Sequence, residues 1–286
     1  GTLAYLRANW CRDGVDALRR DARTAWDGLS PASPYRATML YTEGISYLLD
    51  GDPARADPIL ARAFDDATRV GALPLAALIL AERCTVAAGR DDWPEVVAFA
   101  QRAVTIVEAG RFDGYWTSAL VYAWATRAAL HHGNVPQARF YLGRAARLRP
   151  LLTYALPVVS VQALLELARC YLTLADPGGA AAVLGQVHDI LQQRPDLGVL
   201  PQLADQLQSR LGEIKATAVG ASSLTAAELR LLPLLSTHLS YQEIGERLCV
   251  SKHTVKTQAY SAYRKLGASS RSEAVTRAHE RGLDAF

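Results

Sequence analysis

Lysine is scarce in this chain of 286 residues. Of 31 cationic side chains only Lys215, Lys252, Lys256 and Lys265 are lysines, and none follows the glycine-rich run that cradles a nucleotide's phosphates, which excludes a P-loop ATPase in these residues. Cysteine is almost as rare. Cys11, Cys84, Cys170 and Cys249 stand far apart, without a Cys-x-x-Cys and without histidine at ligand spacing. A zinc site or a disulfide framework is therefore not expected, and reduced, mostly buried thiols of a cytoplasmic protein are. Long hydrophobic runs are missing too. The longest, Leu151 to Leu167, is broken by Thr153, Pro157, Ser160 and Gln162 and falls short of the ~20 apolar residues that span a bilayer. No secretory signal opens the chain. It begins on Gly1 inside what reads as a helix, so a longer parent protein is expected.

Catalytic patterns are likewise absent. There is no Gly-x-Ser-x-Gly, no His-Glu-x-x-His, no dinucleotide-binding glycine loop and no cysteine with an evident histidine partner. Asp65-Asp66 and Asp91-Asp92 read as exposed helix-turn carboxylates, and His131-His132 as a pair near a helix C-terminus, favoured there by the dipole. No enzyme and no cofactor are expected.

What the chain does contain is a repeat. Turn residues recur after apolar helical runs, and Asp13, Asp52, Asp92, Asn134 and Asp176 anchor them at spacings of 39, 40, 42 and 42 residues. Four residues past each anchor come Ala17, Ala56, Val96, Ala138 and Ala180. Eleven past come Thr24, Ala63, Ala103, Ala145 and Val187, each preceded by an arginine or, last, by Gln186. Four before stand Leu48, Ala88, Leu130 and Leu172, with Asn9 the odd first member. Small apolar residues at fixed phase suit stacked helix pairs, which approach closely only where neither helix has a bulky side chain. The pattern resembles the tetratricopeptide-like superhelical domain of MalT-like regulators. An all-α fold is expected, with residues 1–215 a helical-repeat sensor or interaction domain of roughly five pairs. Its five tryptophans are read as filling gaps between helices, with an aromatic ligand groove as the alternative.

Residues 216–223, ATAVGASS, lack a helical face and read as a linker. Beyond it the charge changes. Residues 222–286 carry nine Lys plus Arg against six acids, whereas residues 1–221 carry 22 of each sign. The excess charge of +3 thus belongs to the last 65 residues.

Those residues contain three capping-box pairs, Thr225 with Glu228, Ser240 with Glu243 and Ser270 with Glu273, and a further cap at Ser251, which together predict four short helices. The second and third are separated only by residues 249–251, as in a helix-turn-helix. On the third, Val255, Ala259, Ala262 and Leu266 share one face. Lys252, His253, Lys256, Thr257, Tyr260 and Arg264 lie around the rest, and no acid occurs between Glu246 and Glu273 among six cations. A basic helix free of carboxylates suits a phosphate-lined groove.

Over residues 224–283 this segment resembles the LuxR/GerE-type helix-turn-helix, carried by Leu224-Thr225, Glu228, Glu243-Ile244, Arg247-Leu248, Ser251, Thr254-Val255-Lys256, Lys265-Leu266-Gly267 and Arg271. The resemblance implies a module at 224–286 whose third helix, 252–266, enters the major groove of double-stranded DNA. Base reading is implied at Lys256, Thr257 and Tyr260, and phosphate contact around Ser251, Lys252, Thr254 and Lys265. Gln258 stands where histidine is frequent and Arg264 adds a further cation. The fourth helix is implied to form a homodimer contact. Gly245 replaces the usual alanine, Pro233 falls inside the first helix, and His238 occupies a glycine position where positive φ is expected.

The function expected is a DNA-binding transcriptional regulator, cytoplasmic, whose array receives a small-molecule or protein signal. The rival reading is an interaction scaffold whose helix-turn-helix has become a docking surface. A weaker variant has the array masking the basic helix until an effector releases it.

Overall fold

The computed structural model describes residues 11, 13–30, 33–222, 224–248, 250–280 and 283, with the backbone alone at 217–222 and 226. Asn9, Trp10, Ser223 and Cys249, used in the sequence reading, lie outside them. The described residues are all-α. Two compact units divide between Leu211 and Gly212.

The first unit is a run of helices: α1 (Gly14–Gly28), α2 (Arg36–Leu49), α3 (Pro53–Arg69), α4 (Leu73–Gly89), α5 (Trp93–Ala109), α6 (Ser118–His131), α7 (Val135–Leu148), α8 (Pro157–Thr173), α9 (Pro177–Gln193) and the start of α10 (Leu200–Ser222). Four complete pairs are present, α2/α3 to α8/α9. In each, the repeat anchor caps the second helix. The side chains of Asp52, Asp92, Asn134 and Asp176 accept from the backbone N–H of Arg55, Glu95, Gln137 and Gly179, with proline in the first turn. The fixed φ of proline and the absence of its N–H are harmless there, so anchor and proline together start the helix sharply. The residue before each anchor has positive φ: Gly51, Asp91, Gly133 and Ala175.

The small residues pack as the periodicity predicts. Ala56, Val96, Ala138 and Ala180, and then Ala63, Ala103, Ala145 and Val187, are all buried. The first repeat is one residue out of register. Ala17 is only half-buried and Thr24 is exposed, whereas Leu18, Ala22 and Ala25 are buried, so Gly14 rather than Asp13 holds the equivalent place. Asp13 accordingly makes no side-chain cap. The flank before the anchor is less regular, because Leu48, Ala88 and Leu130 are half-buried and Leu172 alone is buried.

Two of the cations ten residues past an anchor reach a neighbouring helix. Arg102 lies 4.4 Å from the Phe64 ring of α3, and Arg144 bonds the Tyr122 hydroxyl of α6 at 2.9 Å and Asp113 at 2.6 Å. Gln186 does the same work by donating to the Leu152 carbonyl at 2.9 Å.

First helices of successive pairs also pack on one another, α2 on α4, α4 on α6 and α6 on α8. They are buried nearly all round, which is why α4, LPLAALILAERCTVAAG, reads as almost continuously apolar. At their meeting point lies a carboxyl group. Glu82 of α4 is wholly buried, accepting from the Tyr41 hydroxyl of α2 at 3.2 Å and from Gln162 Nε2 of α8 at 2.8 Å. The far end of the array also returns to its start, since Val199 N–H donates to the Leu49 carbonyl at 2.9 Å. Gly198, at φ 61°, lies against that carbonyl, where a Cβ would not fit.

The sequence reading of 216–223 as a linker is corrected in part. Residues 216–222 continue α10 as helix. Ala216, Ala218 and Ala221 add no propensity penalty of their own, so the helix carries only the single cost of about 1 kcal/mol that Gly220 imposes. Trp124 is fully buried, and Arg127 lies over its ring at 4.5 Å. Trp93 stacks on His131 with ring centroids 4.2 Å apart, which gives the histidine at the end of α6 a packing role. Cys11, Cys84 and Cys170 are free and buried. Among the described residues, no helix is long and apolar enough to cross a membrane.

Candidate nucleic-acid interface

Four helices form the second compact unit beyond α10: α11 (Ala226–Leu235), α12 (Tyr241–Leu248), α13 (Lys252–Leu266) and α14 (Arg271–Glu280). Two of the three anticipated capping boxes close, and the third forms in one direction only. Thr225 and Glu228 make a reciprocal box, and Ser240 and Glu243 do the same, with Ser240 N–H donating to the Glu243 carboxylate at 2.7 Å. Ser251 Oγ accepts from Thr254 N–H at 3.0 Å and starts α13. Before α14, Ser270 accepts from Glu273 N–H while the Glu273 carboxylate reaches back to Ser269 instead.

Helix α13 packs on each of the other three. Its inner face is Val255, Ala259, Ala262 and Leu266, all with no exposure, joined by Tyr263, whose hydroxyl lies 2.8 Å from that of Tyr241. Burial and the Tyr241 hydroxyl raise the Tyr263 phenol well above its usual range. The approach between α12 and the turn is very close. A Cβ on Gly245 would stand 2.6 Å from the Val250 carbonyl oxygen, so glycine is what this crossing requires and alanine would push the turn away. Gly267, left-handed at φ 73°, terminates α13.

Two of the six cations between Glu246 and Glu273 are engaged inside the module. Lys265 Nζ bonds both carboxylate oxygens of Glu228, at 2.7 and 3.0 Å, with the Glu228 side chain only 4 % exposed. Burial by itself would raise the Glu228 carboxyl. Bonds from Lys265, from the Thr225 N–H and from the Ser261 hydroxyl outweigh it and bring the group down to about 2. Arg271 donates to four carbonyls at the end of α11, those of Leu234, Leu235, Thr237 and Leu239, at 2.8 to 3.3 Å. That arrangement corrects the expectation for His238, which does not adopt positive φ. The guanidinium, with the Ser236 and Thr237 hydroxyls bonded to Pro233 and Leu234 carbonyls, satisfies the helix end that a left-handed residue would otherwise close. Helix α11 runs through Pro233 to Leu235.

What remains outward on α13 is basic and hydroxylic. Lys252, His253, Lys256, Thr257, Tyr260 and Arg264 are exposed, and among the described residues no carboxylate pairs with Lys252, Lys256 or Arg264. Lys256 Nζ lies 5.7 Å from the centroid of the Tyr260 ring, itself 55 % exposed. The Thr257 hydroxyl bonds the His253 carbonyl. Of the remaining candidates, Ser251 is exposed, with its hydroxyl 2.8 Å from that of Thr254, while Thr254, Gln258 and Lys265 are half-buried. Exposed Arg247 on α12 adds a cation near the turn. Sequence reasoning missed the internal roles of Lys265 and Arg271. Glu228 was already accounted for in the sequence as the capping-box partner of Thr225, so nothing there signalled its second bond to Lys265.

Two short helices joined by a tight turn, the second bearing a carboxylate-free basic face and both supported by two flanking helices, define a helix-turn-helix module. Residues 222–278 match the family described as bacterial regulatory proteins, luxR family, so the chain carries a LuxR-family helix-turn-helix domain at its C-terminal end. A putative HTH-type transcriptional regulator of Mycobacterium bovis, Mb0914c, is 44 % identical over 71 residues, 25 % of this chain and 8 % of that protein. Two Bacillus subtilis transcriptional regulatory proteins, YdfI and LiaR, are 36 % and 35 % identical over 83 and 82 residues, each match covering 29 % of this chain and 39 % of the relative. The chain therefore spans less than two-fifths of the length of these relatives.

Proposed function

We propose that the protein is a DNA-binding transcriptional regulator in which α13 enters the major groove, while the helix pairs, akin to tetratricopeptide-like arrays of MalT-like regulators, receive a ligand or protein signal. The observation that carries this reading is the outward face of α13, where cations and hydroxyls stand without a carboxylate. Such a face releases counterions from a duplex and repels none of its phosphates. Lys256, Thr257 and Tyr260 lie on the exposed face at the positions expected to meet base edges. Ser251, Lys252, Thr254 and Arg264 then serve the backbone. Lys265 acts by holding Glu228 and lends its partly exposed ammonium to a phosphate. Helix α14 supplies the contact between two copies on a pseudo-palindromic site. The relatives named as transcriptional regulators match over this same segment, which supports the assignment.

Titrating duplex DNA at several salt concentrations tests it. Four cations directed at the backbone, Arg247, Lys252, Arg264 and Lys265, predict a slope of log affinity on log salt of about −3.6 for one module, about twice that for a dimer. A flat salt response with negligible affinity refutes DNA binding. That outcome favours the scaffold reading instead, for which Tyr260 and Val250 are exposed apolar side chains.

A further inference from the structure

The second helices of neighbouring pairs face each other across a groove floored by the first helix between them, and the repeat supplies three such places to compare. Between α3 and α5 the groove is closed by Arg83 of α4. Its Nε donates to Asp57 of α3 at 2.8 Å, and its guanidinium lies 4.4 Å from the Phe99 ring of α5. Arg90 joins the same carboxylate at 3.4 Å. Between α7 and α9 the floor carries Leu167 and Tyr171 of α8. Leu167 is wholly buried, and the Tyr171 ring packs so closely on α9 that a Cβ on Gly179 would stand 2.5 Å from it. Between α5 and α7 alanine takes these places. Ala125, nine residues before the anchor Asn134, corresponds to Arg83 and Leu167, and Ala129, five before it, corresponds to Tyr171. Val97 likewise stands where Asp57 does. This groove is open, with a volume of about 340 Å³, inside the range of roughly 300–1,000 Å³ that small-molecule sites occupy.

Its walls specify the chemistry of an occupant. The floor is Ala125, Ala128 and Ala129 of α6 with Ala100 and Val104 of α5, all buried. Short side chains without projections match the flat face of a ring. Polar groups stand along the edge with bonding capacity to spare. Asn134 engages the backbone N–H and the Oε1 of Gln137 at 3.2 and 3.0 Å, which holds that side chain and leaves its Nε2 to donate. The Gln101 amide and the Tyr141 hydroxyl have no partner among the described residues, and the Tyr141 ring is fixed against Tyr122 with centroids 6.2 Å apart. Exposed His132 adds ring nitrogens at the rim. Neither a carboxylate, a lysine nor an arginine lines the groove. An ion would lose water there without meeting an opposite charge, and a purely apolar ring would cover the amides without bonding them.

We infer that this groove binds a small uncharged planar heterocycle with donors and acceptors along its edge, of the nucleobase or aromatic-amide kind, lying on the alanine floor and bonded by Gln101 of α5 and Gln137 of α7. The inference rests on the reading above that the array receives a signal, and it names the chemical class of that signal. A ring held by both α5 and α7 joins two successive pairs, and the rotation between successive pairs sets the curvature of a helical array. The other two grooves are held by side chains of the protein itself. This one leaves that place to a ligand.

The test uses the full chain with adenine and nicotinamide as probes, and benzoate, toluene and glucose as charged, purely apolar and non-planar controls, read by calorimetry and by thermal melting. Saturable binding and a rising melting temperature are expected with both probes and with none of the controls. Ala125→Leu installs the residue that α8 carries at this place and should abolish both signals. Val97→Asp combined with Ala125→Arg copies the closed groove between α3 and α5 and should do the same, with circular dichroism checking that the helices persist. Gln137→Ala, at an exposed position, should weaken both probes by about two- to tenfold, the worth of one hydrogen bond, and it decides the matter where a filling variant fails to fold. No saturable binding of either probe overturns the inference, as does unchanged affinity in the folded filling variants or in Gln137→Ala, or equal binding of any control. Duplex DNA titrated with and without adenine separates the two readings. Unchanged DNA affinity with a filled groove refutes the signalling role while the site stands, and absent DNA binding refutes the regulator while the calorimetry still decides the groove.

Discussion

Replacing Glu82 by glutamine should stabilise the helical array, increasingly so as pH rises. The carboxyl is buried among α2, α4 and α8. The groups around it are the Tyr41 phenol, the Gln162 amide, Cys84 on its own helix and Glu166 one turn along α8, whose charge is answered by Arg127 at 2.7 Å. No cation faces Glu82 directly among the described residues. Burial, ahead of the lowering effect of the bonds from Tyr41 and Gln162, raises its pKa from the ordinary 4.5 to about 8. A group raised in the folded state keeps its proton there after the unfolded chain has lost it. Its contribution to stability is complete below about pH 4.5, declines as pH rises, and is gone above about pH 8.

At pH 7 the separation from 4.5 corresponds to a cost on the order of 3 kcal/mol for holding the acid neutral, and at pH 5 to a small fraction of that. Glutamine removes that term and keeps the shape. Its amide can still accept from Tyr41, and its N–H can serve the Gln162 Oε1, which has no partner among the described residues. Urea unfolding at pH 5, 7 and 9 measures the difference. Tryptophan emission reports the array alone, because all five tryptophans precede residue 125. Near-equality at pH 5 and a gap of a few kcal/mol in favour of Glu82→Gln at pH 9 are expected. A variant less stable at every pH, with an unaltered pH profile, would refute the reasoning, since it would mean that the carboxylate is ionised and paired in the folded protein.

Glu228 titrates with the opposite sign. Its folded pKa of about 2 lies below the ordinary 4.5, so its stabilisation is present above about pH 4.5 and lost as pH falls toward 2; Glu228→Gln should flatten the acid limb of the C-terminal unit's unfolding, followed by amide NMR of residues 224–280. Lys265→Met leaves that buried carboxylate unpaired and should cost about 2–3 kcal/mol in the same measurement. Gly245→Ala should cost about 1–3 kcal/mol through displacement of the turn, and equal stability by thermal melting would show that the crossing is looser than described. Lys256→Ala should weaken a selected DNA site by about 1–3 kcal/mol without changing the melting temperature; unchanged affinity removes it from base reading.

The parts legible in the sequence are those where a local backbone requirement selects a residue type. A helix start needs an acceptor for its free N–H groups, so Asp52, Asp92, Asn134 and Asp176 announced four turns, and Thr225, Ser240, Ser251 and Ser270 announced four more. Helical period likewise placed Val255, Ala259, Ala262 and Leu266 inward. What stayed hidden depends on partners remote in the chain. A cation looks the same in sequence whether it faces a phosphate or four carbonyls, so Arg271 was counted toward the charged face when it closes α11 in place of a left-handed His238. Glu82 was unreadable for the same reason, its partners lying 41 and 80 residues away. The charge of the module illustrates the consequence. Its net +3 is an accurate count, yet binding depends on which cations are left outward once the fold has engaged Lys265 and Arg271, and that subset is Arg247, Lys252, Lys256 and Arg264. Neutralising Arg247, Lys252 or Arg264 should reduce the salt slope by about one phosphate contact, whereas altering Lys265 should lower stability and the slope together and altering Arg271 should change stability first.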